Sequence, residues 1–327
     1  MKKTAQRVVL CAALGLANVV GCAIAGAQPY PNRAITVIIP FAGGSASDVV
    51  SRIMFDKMSR SMGQPIVVEN RPGAGGNTGT GAAAKAAPDG YTLVGSGSGP
   101  FAANKALYKD LGYDPSKDFE VISPFAYFNI VIVVSAKLPV KSLAELIAYA
   151  KARPGELNYG SVGIGSSQHL AGEYFQQVAG VKITHVPYRN IAQYGPDLIA
   201  GQVPLGFQWL PNVNAPLKSG GANALAVAAR TRLKALPDVP TTIEAGQPDY
   251  QASGWFAMAA PKGTPKQIVE KLNTEMAAAL ADPAVREKFQ QQGADASVMP
   301  PAEAVKFIEA EYKKWDGIIA KAGIPKI

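Results

Sequence analysis

Hydroxyl groups and backbone donors gather at two places in this chain. Residues 40–48 read PFAGGSASD and carry Ser45 and Ser47, while residues 160–167 read GSVGIGSS and carry Ser161, Ser166 and Ser167. Each stretch follows an apolar run, residues 35–39 in one case and 157–159 in the other. Each also precedes apolar residues spaced every four positions: Val50, Met54 and Met58, then Leu170, Tyr174 and Val178. The spacing predicts strand, loop and amphipathic helix, twice. Amides at a helix start lack intrahelical acceptors and sit at the positive end of the dipole, so such loops favour a carboxylate or phosphate. Glycine lets the backbone approach that group closely. A single loop of this kind often only turns the chain; two of them suit a ligand held from both sides.

Catalytic constellations are sparse. His169 and His185 are the only imidazoles, and no HExxH, CxxC or EF-hand spacing occurs, so no metal site is expected. Ser161 has Tyr159 where a nucleophile elbow places its first glycine. Gly79, Gly81 and Ala84 match G-x-G-x-x-A, but no acidic residue follows at the distance a ribose contact needs, so the stretch reads as turn chemistry. No cofactor and no turnover are expected. The enzymatic alternative is a secreted hydrolase with Ser166 or Ser98 as nucleophile, for which the sequence offers no evident base.

The N-terminus has the pattern of an export leader. Lys2, Lys3 and Arg7 precede an apolar segment, and Ala25 and Ala27 give a small-x-small cleavage site before Gln28. A retained span and acylation at Cys22, in the lipobox-like VVGC, are the alternatives. Cleavage after Ala27 leaves 300 residues, removes three cations and no anions, and lowers the net charge from +8 to +5. Both cysteines, Cys11 and Cys22, leave with it, so apolar burial alone must hold the mature fold. Its cations are scattered and no basic run interleaves with aromatics, which speaks against nucleic acid as a partner.

Apolar runs alternating with helical periodicity predict an α/β fold with a mostly parallel sheet. Strands are expected at residues 66–68, 91–94, 129–134, 185–188 and 223–228. Helices are expected at 82–87, at 143–152 behind the Ser142/Glu145 capping box, and through the C-terminal third, with Thr264 as cap and Pro265 as first residue of one of them. The last helix should bury Val305, Ile308, Tyr312, Trp315 and Ile319.

Several ordered blocks resemble the periplasmic receptors of the tripartite tricarboxylate transporter system, the Bug or TctC family. They are YPNRAITVIIPFAGGSASD, VVENRPGAGGNTGTGAAAKAAPDGYTL, LNYGSVGIGSSQHLAGEYF, HVPYR, LPDVPTTIEAG, SGWFAMAAPKGTP and KKWDGIIAKAGI. The resemblance implies a two-domain periplasmic binding protein, a type II-like Venus flytrap with the ligand in the interdomain cleft. Residues 28–127 plus 250–327 would form domain 1 and 128–249 domain 2. It implies a monomer that delivers a small organic acid to a membrane permease of two subunits; a sensory receptor of the same fold is the rival. Ligand contacts would fall on Phe41, Gly43, Gly44, Ser45, Ser47 and Asp48 on one side. On the other they would fall on Ser161, Gly163, Gly165, Ser166, Ser167 and His169, with Ser96, Ser98, Tyr188 and Arg189 next. Asp48 has two readings, a helix-start carboxylate or a cleft acceptor for a ligand ammonium. Three features depart from the family pattern: Ala42 stands where proline is frequent, NIAQYGPD replaces a Gly-rich segment and brings Asn190, Gln193 and Tyr194 toward the mouth, and Trp209 is either a cleft aromatic or core.

Overall fold

The strand ITVII is β-branched at all five positions and forms β1 (Ile35–Ile39), with Ile35, Val37 and Ile39 fully buried. It runs through the glycine loop into α1 (Ala46–Met62), whose Val50, Met54 and Met58 face the core and which stops at Gly63 in the left-handed region. The computed structural model describes residues 30–322 and 326. The leader, its cleavage point, Cys11 and Cys22 lie outside them.

The remaining strands and the helices of seven or more residues are, in order, β2 (Ile66–Asn70), α2 (Asn77–Ala84), β3 (Thr92–Gly97), β4 (Phe119–Asn129), β5 (Val131–Ser135), α3 (Leu143–Ala152) and β6 (Asn158–Ser161). Then follow α4 (Ser167–Ala179), β7 (Thr184–Pro187), α5 (Tyr194–Ala200), β8 (Leu205–Gln208), α6 (Leu210–Lys218) and β9 (Ala222–Val227). The chain closes with β10 (Ser253–Pro261), α7 (Lys266–Ala281), α8 (Pro283–Gln291), β11 (Ala294–Ala296) and α9 (Pro301–Ala322). They build two sheets, ordered β11-β4-β10-β3-β1-β2 and β7-β6-β8-β5-β9.

Both sheets are mixed, not mostly parallel. β1 pairs in parallel with β2 and β3, but β10 is antiparallel to β3 and β4, and β5 is antiparallel to β8 and β9. β4 is interrupted by Pro124, and the register with β10 shifts there, so the missing donor falls at a bulge. Strands β4, β8 and β10 and helices α5 and α6 carry no clear sequence period and were not expected. Helix α2 starts earlier than its alanines suggest. Its Gly79 lies against the Arg71 carbonyl, where a Cβ would come within 2.7 Å, so a weak helix former is kept for close packing.

Ser142 caps α3 by accepting from the Glu145 amide at 3.2 Å, as the capping box predicts. Thr264 does not cap α7; its hydroxyl donates to the Pro261 carbonyl and Pro265 takes the cap position. On α9, Ile308, Trp315 and Ile319 are buried, whereas Val305 is 42% exposed, because that position borders an open groove.

The sheets meet where the chain crosses between them. Ile130, between β4 and β5, donates its N–H to the Ala252 carbonyl, and its carbonyl accepts from the Ala228 amide. Trp209 packs there, stacked on Phe128 at 5.0 Å and edge-on to Phe256 at 5.0 Å. It is core, not a cleft aromatic. Trp209→Ala should therefore lower stability by about 3–5 kcal/mol, the usual cost of emptying a buried aromatic site. Urea unfolding would check this; a change under 1 kcal/mol would show that the packing carries little of the fold.

Candidate functional site

The two glycine–serine loops do converge. Both line a cavity of about 470 Å³ between the sheets, a size suited to a small ligand. From the β1–α1 loop come Pro40, Phe41, Ala42 and Ser45, and from the β6–α4 loop Val162, Gly163 and Ile164. The loop after β2 supplies Pro72, Gly73, Ala74, Gly75 and Thr78, and the end of β7 supplies Pro187, Tyr188 and Arg189. The contact between loops is backbone on backbone. At Gly163, with φ +121°, an added Cβ would lie 3.1 Å from the Gly75 amide nitrogen. The Tyr108 hydroxyl donates to the Ile164 carbonyl at 3.0 Å, closing the same seam.

The starts of α1 and α4 each leave two backbone amides without an acceptor among the described residues, Ser47 and Asp48 in one and Ser167 and Gln168 in the other. Ser166 accepts from the His169 amide and so caps α4, but Ser45 makes no cap bond and instead pairs its hydroxyl with Ser47 at 3.0 Å. The Ala46 amide donates across to Asn212 of α6 at 3.0 Å.

Asp48 does not reach the cavity. One oxygen accepts from the Gly44 amide at 2.9 Å; the other accepts from Arg52 at 2.9 Å and Asn70 at 3.0 Å. Burial pushes its pKa up, but the bonds from Arg52, Gly44 and Asn70 outweigh this and hold it below the usual value. It organises loop 1 as a helix-start carboxylate.

Phe41, Ser45, Gly163, Tyr188 and Arg189 line the chamber, and Gly43 lines an adjoining outer one. Gly44 is exposed and lines neither chamber, and the remaining expected contacts are buried behind the wall. Ser96 bonds Thr80 at 2.8 Å, Ser98 bonds Ser167 at 2.7 Å, and Ser161 bonds Nε2 of His185 at 2.6 Å. Gly165 donates to Nδ1 of His169 at 3.2 Å, which leaves the ring proton on Nε2. Neither Ser98 nor Ser166 meets an imidazole. Tyr194 is not at the mouth; it is fully buried beside Gly160 and Gly206, whose missing side chains make room for its ring. Sequence reasoning took the loop after β2 for turn chemistry and missed it as a wall. Its glycine density is the one signal that could have marked it.

Among the described residues lining the chamber, Arg189 is the only charged one and none is acidic. Burial raises the Tyr108 phenol, and burial with the Asp197 carboxylate raises Tyr188, so both stay neutral. No group of three or more metal-ligating side chains occurs among the described residues, and no described helix is long and apolar enough to cross a membrane.

A chamber walled by loops from two α/β sheets joined by strand crossovers defines a solute-binding receptor fold. Residues 50–324 match the model of the tripartite tricarboxylate transporter family receptor, TctC. The chain is 39% identical over 298 residues to the protein BugT of Bordetella pertussis, covering 91% of each. It is similar to the periplasmic binding protein BugD (TM-score 0.86, 34% identity, 91% of this chain and 100% of that one). It is also similar to the R. palustris protein Rpa4515 with adipate (TM-score 0.88, 37% identity, 91% and 100%). The chain belongs to the TctC receptor family.

Burial lowers His169 to about 4, and burial together with the charge of His169 lowers His185 to about 3. Because the unfolded chain takes up these protons first, their contribution is intact above pH 6.5 and is lost as pH falls from there through about 4 and 3. The melting temperature should drop across that window, and His185→Gln should flatten the drop; an unchanged slope in the variant would remove the imidazole pair from the acid response. Asp48→Asn should cost about 1–2 kcal/mol of stability through its bonds to Arg52 and Gly44. It should alter the binding of an amino acid and of its deaminated analogue equally. Calorimetric titration that finds selective loss of the amino acid would place Asp48 in the cleft after all.

Proposed function

We propose that the chain is a periplasmic receptor that closes on a small organic acid and passes it to a membrane permease of two subunits. One observation carries this reading: a chamber shared by both sheets, flanked by the starts of α1 and α4 with their unpaired amides and lined by a cation with no acid opposing it. Ligand contact with loops of both sheets stabilises the closed arrangement by its differential affinity. The two lobes would be residues 28–127 with 250–327, and 128–249. Ile130, bonded to Ala228 just after β9 and to Ala252 just before β10, is the natural place for them to turn.

The adipate carried by Rpa4515 favours a carboxylate as the ligand class. The energetics fit. Charge-assisted hydrogen bonds contribute about 1.5–3 kcal/mol each, and micromolar binding needs about 8 kcal/mol, so a few donors and enclosure suffice. Binding without turnover is supported by the serines at 98 and 166, whose hydroxyls are engaged away from any imidazole.

Mass spectrometry of ligand retained by natively produced protein, with a thermal-shift screen of small acids, tests the proposal. An acid at about 100 times its dissociation constant should add about 2.7 kcal/mol. Gly163→Val should strain a left-handed position by about 1–3 kcal/mol and crowd Gly75, abolishing the shift while the fold persists. Unimpaired acid binding by this variant would remove the two-sided chamber as the binding site.

A further inference from the structure

Outside the chamber lies a second one of about 440 Å³, and the two share Ala42, Pro72 and Arg189. The inner chamber is walled mostly by apolar groups and backbone. The outer one changes character: Asn70, Asn190 and Gln193 join Arg189 on its lining.

The free valences there are mainly donors. Asn70 is spent, donating its amide protons to the Phe41 carbonyl and Asp48 and accepting from Arg52 at its oxygen. Asn190 uses its oxygen to accept from the Ala192 amide at 3.1 Å, which leaves its NH₂ group for a partner. Among the described residues, Arg189 makes no hydrogen bond or ion pair, so its five N–H donors and its charge are unpaired in a residue that borders both chambers. Gln193 is exposed and has no side-chain bond among the described residues. Arg189, Asn190 and Gln193 belong to the segment RNIAQ after β7, so the donor group comes from one sheet and lies against Ala42 and Pro72 of the other.

We propose that the outer chamber reads the far end of the ligand: Arg189 takes a second anionic group, and Asn190 and Gln193 position it. This rests on the carboxylate-receptor reading and adds to it. The ligand would be an acid with an apolar body in the inner chamber and an anionic end at the Arg189 junction, and a monoacid of the same length would leave the guanidinium unpaired.

The test is a titration of straight-chain α,ω-dicarboxylates, from succinate to suberate, and of the matching monocarboxylates. Wild-type protein should favour the best diacid over its monoacid by about tenfold or more, the range of a charge-assisted bond. Arg189→Gln should bring that ratio near one, Arg189→Lys should restore part of it, and Gln193→Ala should shift the preferred length. A ratio unchanged in Arg189→Gln would overturn the proposal while leaving the receptor reading intact. Should no acid of either series bind folded wild-type protein, both would fall together.

Discussion

The approach of two backbones at Gly75 and Gly163 sets the depth of the cleft. A Cβ on either residue would press on the opposite loop, so neither loop can contribute a side chain where they touch. The walls must then come from the flanks, from Phe41 and Tyr108 on one side and Val162, Ile164 and Tyr188 on the other. What remains is a small space whose innermost polar groups are amides and hydroxyls fixed by the chain itself. Such donors need little reorganisation to receive an anion, which is the physical advantage of building a site from backbone.

The acid nearest to that space is turned away from it, and the shape of loop 1 depends on the turn. Asp48 holds Gly44, and through Asn70 it also holds the Phe41 carbonyl. Arg52 answers its charge at 2.9 Å. The pair leaves the loop without net charge, so the field in the chamber is that of the α1 and α4 starts and Arg189. Had the carboxylate faced inward, the same loop would have suited an ammonium.

Local chemistry was readable from the chain where neighbours in sequence decide it. The β1 run, the four-residue spacing of α1 and α4, and the Ser142 cap all needed only a few adjacent residues. The two glycine–serine loops were readable as donors, and their meeting was inferred from there being two of them. What failed to show was non-local. Phe119–Asn129 is apolar with a proline inside it, so no period separated it from a buried loop. The loop after β2 became a wall only because β2 ends beside β1 and delivers it to the cleft. The direction of Asp48 depended on Asn70, whose position 22 residues away no helix-start rule contains.

Two kinds of contact hold the sheets together, and they differ in how easily they reverse. Around Ile130 the join is aromatic: Phe128, Trp209 and Phe256 exclude water from one another, and separating them would expose large apolar surfaces at roughly 25 cal/mol per Å². At the loops the join is polar: Ser98 with Ser167, Tyr108 with the Ile164 carbonyl, and the Ala46 amide with Asn212. Each of these exchanges for water at a net cost of only about 0.5–1.5 kcal/mol. On the proposed receptor reading, a chain built this way would keep its crossing strands together while its loops part. Ligand held between those loops, as proposed, would add to the weaker join, where a modest gain is enough to decide which arrangement is populated.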